Sequence, residues 1–275
     1  MNSFEPDTML VHEVVPSPNH GERAGNRLPD MIVLHYTGMP DADKALERLC
    51  SPASEVSCHY FITEDGRIIQ CVPESRRAWH AGESSWGDET DINSCSIGIE
   101  IHNPGHDHGY PDFPRRQIAA VTALCRAILH RRYIRPERVL GHSDVAPLRK
   151  RDPGEKFPWM LLHRAGIGQW VNPAPIVPGP CFEFGDSGDA VQNFQAALRE
   201  YGYGINPDGY FDQTTRDVVT AFQRHFRPAL CDGKLDSSTL MTLRALIEVS
   251  RASRATHEGA QEDTDASLPT VPPEL

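Results

Sequence analysis

The sequence predicts an α/β fold, a mixed central sheet flanked by helices, with a small three-helix domain at its C-terminal side. Three observations predict it. Short apolar runs that suit strands are interleaved with one long amphipathic stripe, without the regular spacing of repeated strand–helix–strand units. Four prolines fall within residues 172–180 (NPAPIVPGP), a composition that excludes helix and central strand and predicts a stiff, extended linker. Beyond it, a pattern beginning at Asp208-Gly209 recurs 24 residues later at Asp232-Gly233. The expected organisation is therefore a first domain over 1–171, a linker over 172–180, a helical domain over 181–249 and a tail over 250–275. That tail is polar, acidic and proline-containing, and is expected to be disordered.

Taken in order, Met31–Tyr36 (MIVLHY) is a continuous apolar run suited to a buried strand. Cys58–Ile62 and Arg67–Val72 flank Glu64-Asp65-Gly66, and Asp-Gly between two such runs predicts a tight hairpin. Cys95–Ile101 (CSIGIEI) alternates as a strand does. Between Arg115 and Arg132, Ile118, Val121, Cys125, Ile128 and Leu129 form one helical stripe. Val139–Gly141 is a brief strand that runs into a polar loop. In the second domain, Val191, Phe194 and Leu198 share one face of a helix over Ala190–Tyr201. Each Asp-Gly repeat continues into an apolar anchor and then an aspartate, Asp212 or Asp236, placed to cap a helix.

Composition removes whole classes of function. Of 275 residues, 39% are hydrophobic and 24% charged, enough for a sizeable core. Lys plus Arg number 27 against 38 Asp plus Glu, a net charge of -11, which argues against nucleic-acid binding through phosphate neutralisation and against anionic membrane surfaces. No apolar stretch reaches the roughly 18–20 residues of a membrane helix. Glu5 and Asp7 stand where a signal peptide carries positive charge, so a cytoplasmic location is expected, with periplasmic export by a non-standard route as the alternative. The seven cysteines, an odd number without a CxxC pair, read as reduced thiols rather than a disulfide framework.

Thirteen histidines invite a search for a metal site. His35 ends a buried strand and His142 directly follows one, positions from which rigid elements deliver side chains to a cleft. Asp152 sits in the polar turn Lys150-Arg151-Asp152-Pro153-Gly154. Two imidazoles and one carboxylate with a fourth position open is a common catalytic zinc set. Spacing alone leaves Asp144, two residues from His142, as a competitor for the carboxylate.

The strings LHYTGM, RAWHAGES, SIGIEI and GHSDVAPLRKRDPGEKFPW occur in this order over about residues 30–170. Together they resemble the zinc-dependent N-acetylmuramoyl-L-alanine amidases of bacteria, whose fold is shared with T7-type lysozyme and the peptidoglycan recognition proteins. The resemblance implies one zinc ion (Zn2+) per chain, with His35, His142 and Asp152 on the ligand positions and Asp144 on a non-ligand position. It implies Glu100 as the catalytic acid/base and Lys150 as the cation that stabilises charge on the carbonyl oxygen. Trp79 and His80, in AWHAG, are then expected to line the substrate groove. The bond cut would join the lactyl group of N-acetylmuramic acid to L-alanine of the stem peptide, with peptidoglycan or a muropeptide as partner. FGDSGDAVQNFQ and PDGYFDQTTRDVVTAFQ resemble the helical peptidoglycan-binding repeat attached to wall hydrolases.

Bland alternatives stand beside each residue. Taken singly, Glu100 reads as a strand residue facing solvent, Lys150 as a surface cation, His35 as a satisfied core histidine and His142 as a loop histidine bonding backbone. The four-part ordered pattern outweighs them together. His102, His106 and His108 resemble a metal tract, but Pro104, Gly105 and Gly109 mark a solvated loop or substrate rim. His59 is expected to pack, and His225 is given no chemistry. The competing function is a catalytically silent peptidoglycan sensor, a type that loses a metal ligand, whereas all three candidates are present here.

Overall fold

The computed structural model describes residues 4–265, with side chains described as far as residue 253. The first domain contains β1 (Glu13–Val14), β2 (His20–Glu22), β3 (Met31–Tyr36), α1 (Ala42–Cys50), β4 (Tyr60–Ile62), β5 (Ile68–Gln70) and β6 (Arg76–Ala78). It continues with α2 (Ile92–Cys95), β7 (Ser96–Ile101), α3 (Arg115–Arg131), β8 (Val139–Gly141), α4 (His142–Val145) and α5 (Trp159–Arg164). The helical domain is α6 (Asp189–Tyr201), α7 (Gln213–Phe226) and α8 (Ser237–Asp265).

Six strands form one mixed sheet in the order β1-β5-β4-β7-β3-β8, and β2 pairs with β6 in a separate ribbon. The β4–β5 pair is antiparallel, joined through the expected Asp-Gly hairpin, where Gly66 takes φ +86. The strands β4, β7, β3 and β8 are mutually parallel, so their C-terminal ends lie on one edge. The uninterrupted apolar run of β3 follows from its place between β7 and β8, buried on both faces.

Alternation along the strands then decides what each face meets. Ile32 and Leu34 of β3, with Ile97, Ile99 and Ile101 of β7, join Ile118, Val121, Leu124, Cys125 and Ile128 of α3 in one core. Met31, Val33 and Leu140 face the other way, and their core runs without a break through Trp86 into Val191, Phe194, Phe222 and Leu246 of the helical domain. Further along that second face, Phe61 and Ile69 are covered by Ala45 and Leu49 of α1. The sheet's second layer is thus α1 at one end and the helical domain at the other.

Two sequence expectations are revised in detail. The third helix of the small domain does not stop near residue 249: α8 continues to Asp265. Residues 251–265 are rich in Ala, Arg, Glu and Gln, which favour helix. Ser250 is buried and bonds Gln169 at 2.9 Å, and Arg251 pairs with Glu200. The rest of the expected disordered tail, 266–275, lies outside the described residues. The loop bearing His102, His106 and His108 is not simply solvated. His102, Asn103 and Gly105 are buried, and His106 stacks on Tyr110 while bonding Tyr36 and Glu155 at 2.9 and 3.1 Å.

Each Asp-Gly repeat of the helical domain is clamped by a glutamine. Gly209 N donates to Gln195 Oε1 at 2.8 Å, and Gly233 N donates to Gln223 Oε1 at 2.8 Å. Asp212 and Asp236 cap α7 and α8 through Thr215 N and Thr239 N, as the sequence leads one to expect.

Candidate active site and metal centre

The site lies at the C-terminal edge of the parallel strands, where an open α/β sheet leaves a crevice. His35 and Glu100 are direct register partners on β3 and β7, so both side chains leave the same face. Leu34 pairs with Gly141 at the end of β8, which puts His142 one residue beyond that edge. A cavity of about 370 Å³ opens above them, bordered by Trp79, His80, Glu100, His142, Lys150 and Asp152, with Arg48 of α1 on its far wall. His35 lies behind the lining, 1% exposed, against His142, His80 and Asp152.

Three donor atoms converge there. His35 Nδ1 lies 2.9 Å from His142 Nδ1 and 3.2 Å from Asp152 Oδ2, and His142 Nδ1 lies 2.9 Å from the same oxygen. The edge of a tetrahedral site with bonds of about 2.0–2.1 Å is about 3.3 Å, so the triangle matches one face of such a site. Among the described residues no other group of three or more His, Cys, Asp or Glu converges this way.

The outer hydrogen bonds say which nitrogen is free. Ser96 Oγ donates to Ile92 O at 2.5 Å and so accepts from His80 Nε2 at 3.2 Å. His80 Nδ1 is left to accept from His35 Nε2 at 3.1 Å. His142 Nε2 in turn donates to Ala81 O at 3.1 Å. This network assigns the proton of both rings to Nε2 and leaves two Nδ1 lone pairs and a carboxylate oxygen aimed at one point. Such a cluster of acceptors suits a cation of zinc's preferences, and the residues present fit that metal.

Electrostatics agree. Burial pushes the His35 pKa down to about 4, with His142 adding to the effect and Asp152 opposing it. His80 is held well below the ordinary range by burial and then by His35. For Asp152, burial acts to raise the pKa, but His142 and His35 outweigh it and keep the carboxylate ionised. Glu100 moves the other way, raised well above its usual value by burial and then by Asp152, with Lys150 partly offsetting them. Its Oε2 is buried without a hydrogen-bond partner among the described residues. A carboxyl beside a metal site with an elevated pKa and a free oxygen is suited to exchanging protons with a reacting group.

Of the seven residues singled out in the sequence, six line this cavity and the seventh, His35, lies directly behind it against His142 and Asp152. Trp79 and Lys150 stand half-buried on its wall. His80, 8% exposed, reaches the cavity but has both ring nitrogens bonded behind His35. Asp144 stays apart from the triad: its Oδ2 accepts from Gly141 N and lies 2.7 Å from His225 Nδ1, and its Oδ1 accepts from Tyr203 at 2.7 Å. Sequence reasoning missed Ser96, Tyr203 and His225. One available signal was Gly98, a glycine inside an otherwise good strand, which marks a close approach by another group. That group is the His80 ring.

Residues 25–155 match the family model described as N-acetylmuramoyl-L-alanine amidase, and residues 187–243 match a putative peptidoglycan binding domain. The chain is 37% identical over 236 residues to the N-acetylmuramoyl-L-alanine amidase AmiD of Escherichia coli, covering 79% of this chain and 82% of the relative. The structure resembles that of E. coli AmiD in complex with the substrate anhydro-N-acetylmuramic acid-L-Ala-D-γ-Glu-L-Lys, with a TM-score of 0.70 and 36% identity, covering 81% of this chain and 90% of the other. It also resembles AmpDh3 from Pseudomonas aeruginosa in complex with an anhydromuramic pentapeptide. There the TM-score is 0.68 and the identity 32%, covering 91% of this chain and 99% of the other.

Proposed function

The chain belongs to the N-acetylmuramoyl-L-alanine amidase family, and from that premise we propose that it hydrolyses the amide between the lactyl group of N-acetylmuramic acid and L-alanine, using one zinc ion held by His35, His142 and Asp152. The observation that carries the reading is the convergence of two Nδ1 atoms and one carboxylate oxygen within 3.2 Å of one another, beside a carboxyl of raised pKa. A silent sensor is not favoured, because no member of the donor set is missing.

His35, His142 and Asp152 would hold the zinc ion, which when bound would supply a Lewis acid and lower the pKa of a water towards about 7. Glu100 accepts a proton from the attacking water and delivers it to the departing L-alanine nitrogen as the C–N bond breaks and the C–O bond forms. Lys150 faces the negative charge that grows on the carbonyl oxygen. His80 fixes the orientation and proton position of His35, and Trp79 offers an apolar wall to the substrate.

The seven thiols support a cytoplasmic enzyme acting on soluble anhydro-muropeptides: none is in a disulfide, and four are fully buried. No helix among the described residues is long and apolar enough to cross a membrane. Cell fractionation tests the location, and recovery in the periplasm would assign the enzyme to wall turnover instead. For the activity, sacculi and a soluble anhydro-muropeptide are digested with and without chelator and read by mass spectrometry. Free stem peptide should appear, stop with chelator and return with zinc. No cleavage of either substrate by zinc-loaded protein would refute the reading.

A further inference from the structure

The helical domain reaches the metal centre through a buried carboxylate. Asp144 is fully buried, and its Oδ2 accepts from Gly141 N at 2.7 Å, closing the turn whose next residue is His142. The other contacts of Asp144 come from the helical domain. Tyr203, 1% exposed, donates its hydroxyl to Oδ1 at 2.7 Å. His225, 3% exposed on α7, places Nδ1 2.7 Å from Oδ2. The imidazole has no other polar anchor, since its Nε2 is buried without a partner among the described residues.

The same ring braces the turn from a second side. His225 stacks on Trp159 with ring centroids 3.7 Å apart, and Trp159 in turn lies against Gly141. A Cβ built on Gly141 would fall 2.7 Å from Pro153 Cδ and 3.3 Å from Trp159, so the backbone delivering His142 is confined on that side. Ser143 N also donates to Asp152 O at 2.8 Å, which ties the turn to the third ligand. A carboxylate left with one of these partners removed must either rotate or stay buried and under-bonded, and both displace the turn.

We propose that Tyr203 and His225 are positioning residues: through Asp144 they hold the Gly141–Val145 turn and thereby aim His142 at the metal, which makes the helical domain a structural part of the active site. The inference rests on His35, His142 and Asp152 being the zinc ligands. It gives the second domain a role separate from wall binding, and it assigns work to His225, which the sequence left idle.

The test uses the full chain with Tyr203→Phe, His225→Phe and His225→Asn. Phenylalanine keeps the ring and its stacking but lacks the bond to Asp144, whereas asparagine can restore a donor near the Nδ1 position. Leu243→Ala, in the same domain's core but without a bond to Asp144, controls for general destabilisation. Zinc affinity is read by competition with a chromogenic chelator, and amide exchange at residues 143–145 is read in metal-free protein. Tyr203→Phe and His225→Phe should each weaken zinc by about 10-fold and speed exchange in the turn. Their kcat should fall more than KM changes. His225→Asn, which restores a donor but loses the stack on Trp159, should recover part of the affinity, and Leu243→Ala should leave it within about twofold. If His225→Phe does not fold, Tyr203→Phe alone decides. Wild-type zinc binding with both variants unchanged in affinity and exchange would overturn this inference and leave the amidase reading intact. Failure of the wild type to bind zinc would overturn the ligand assignment, and this inference with it.

Discussion

Gly98→Ala is the most economical probe of the site, because it changes no residue that touches metal or substrate. Gly98 lies in β7, and its φ is outside the left-handed region, so alanine is acceptable to the backbone. The cost is steric: the added Cβ would sit 2.5 Å from His80 Cδ2 and 2.6 Å from Nδ1, against an ordinary contact of about 3.5–4.0 Å. The ring must therefore retreat by about 1 Å. It is held at 3.1 Å by His35 Nε2 and at 3.2 Å by Ser96, and a move of that size breaks at least one of these bonds. Overpacking in a tight core costs about 1–3 kcal/mol, and a lost buried hydrogen bond adds about 1 kcal/mol, so a destabilisation of about 2–4 kcal/mol is expected. Loosening His35 should also weaken zinc by about 10- to 100-fold, the usual penalty for losing a partner behind a ligand. Urea denaturation of chelated protein and a zinc competition titration measure the two effects separately. Stability within 0.5 kcal/mol and zinc affinity within about twofold of wild type would refute the His35–His80–Ser96 chain as a determinant of the site.

Glu100→Gln should lower kcat by at least about 100-fold while leaving zinc affinity within a few-fold, as seen by single-turnover assay and chelator competition. The same change should stabilise metal-free protein at pH 7. Glu100 holds its proton to higher pH when folded than unfolded, so its ionisation opposes folding above pH about 4.5. Histidines act in the opposite sense: burial lowers His20, His35, His59, His80 and His102, with His35 at about 4 and His59 at about 3. The unfolded chain takes up these protons first, so stability is lost as pH falls from about 6.5 towards 4. Five imidazoles outweigh one carboxyl, and the urea midpoint of chelated protein should drop between pH 7.5 and 5; a constant midpoint would contradict this. Cys181 is the exposed thiol among the seven, while burial raises Cys58, Cys95 and Cys125. A disulfide reagent added to native protein should accordingly label one thiol quickly, located at Cys181 by peptide mapping.

Much of the fold was legible because local pattern and tertiary demand coincide. The run MIVLHY is a strand over its predicted length because it lies between two parallel neighbours, and the stripe on Arg115–Arg131 is a helix because its apolar face covers the sheet. The short strands β1, β2 and β6 were not legible, since two or three residues carry no periodicity and are fixed by their partners. Helix α1 escaped too, although Asp41 caps it and Ala45 and Leu49 mark its buried side; its segment is short and rich in charged residues. At the site, strand ends delivered His35, Glu100 and His142; spacing alone left Asp144 and Asp152 both open, and only the family resemblance put Asp152 on the ligand position. Direction agrees with it. Asp152 turns to the imidazoles, and Asp144 turns to a tyrosine and a histidine more than 50 residues downstream.

The linker gives the most instructive contrast. Nine residues of proline-rich chain at about 3.1 Å each reach about 28 Å, enough for the helical domain to swing free of the first. Side-chain chemistry elsewhere prevents it. Trp86 of the first domain packs edge-on to Tyr201 and Tyr203, with ring centroids 5.8 and 4.9 Å away, and occupies the space where a Cβ on Gly202 would stand. The linker itself is pinned by Ala174, which bonds Thr242 and Ser238 of α8 at 3.0 and 2.7 Å. Met31, Val33 and Leu140 supply the reason: they alternate with residues already buried under α3, so the sheet needs cover on its second face, and the helical domain provides it. His35 and Glu100 leave from that same face. The cavity opens over that face beside α1, which contributes Ala45, Arg48 and Leu49 to its lining, and the helical domain covers the neighbouring part of the sheet without lining the cavity. The domain that the sequence presents as an attachment covers the sheet beside the site and, through Tyr203 and His225, bonds the carboxylate of the turn that carries His142.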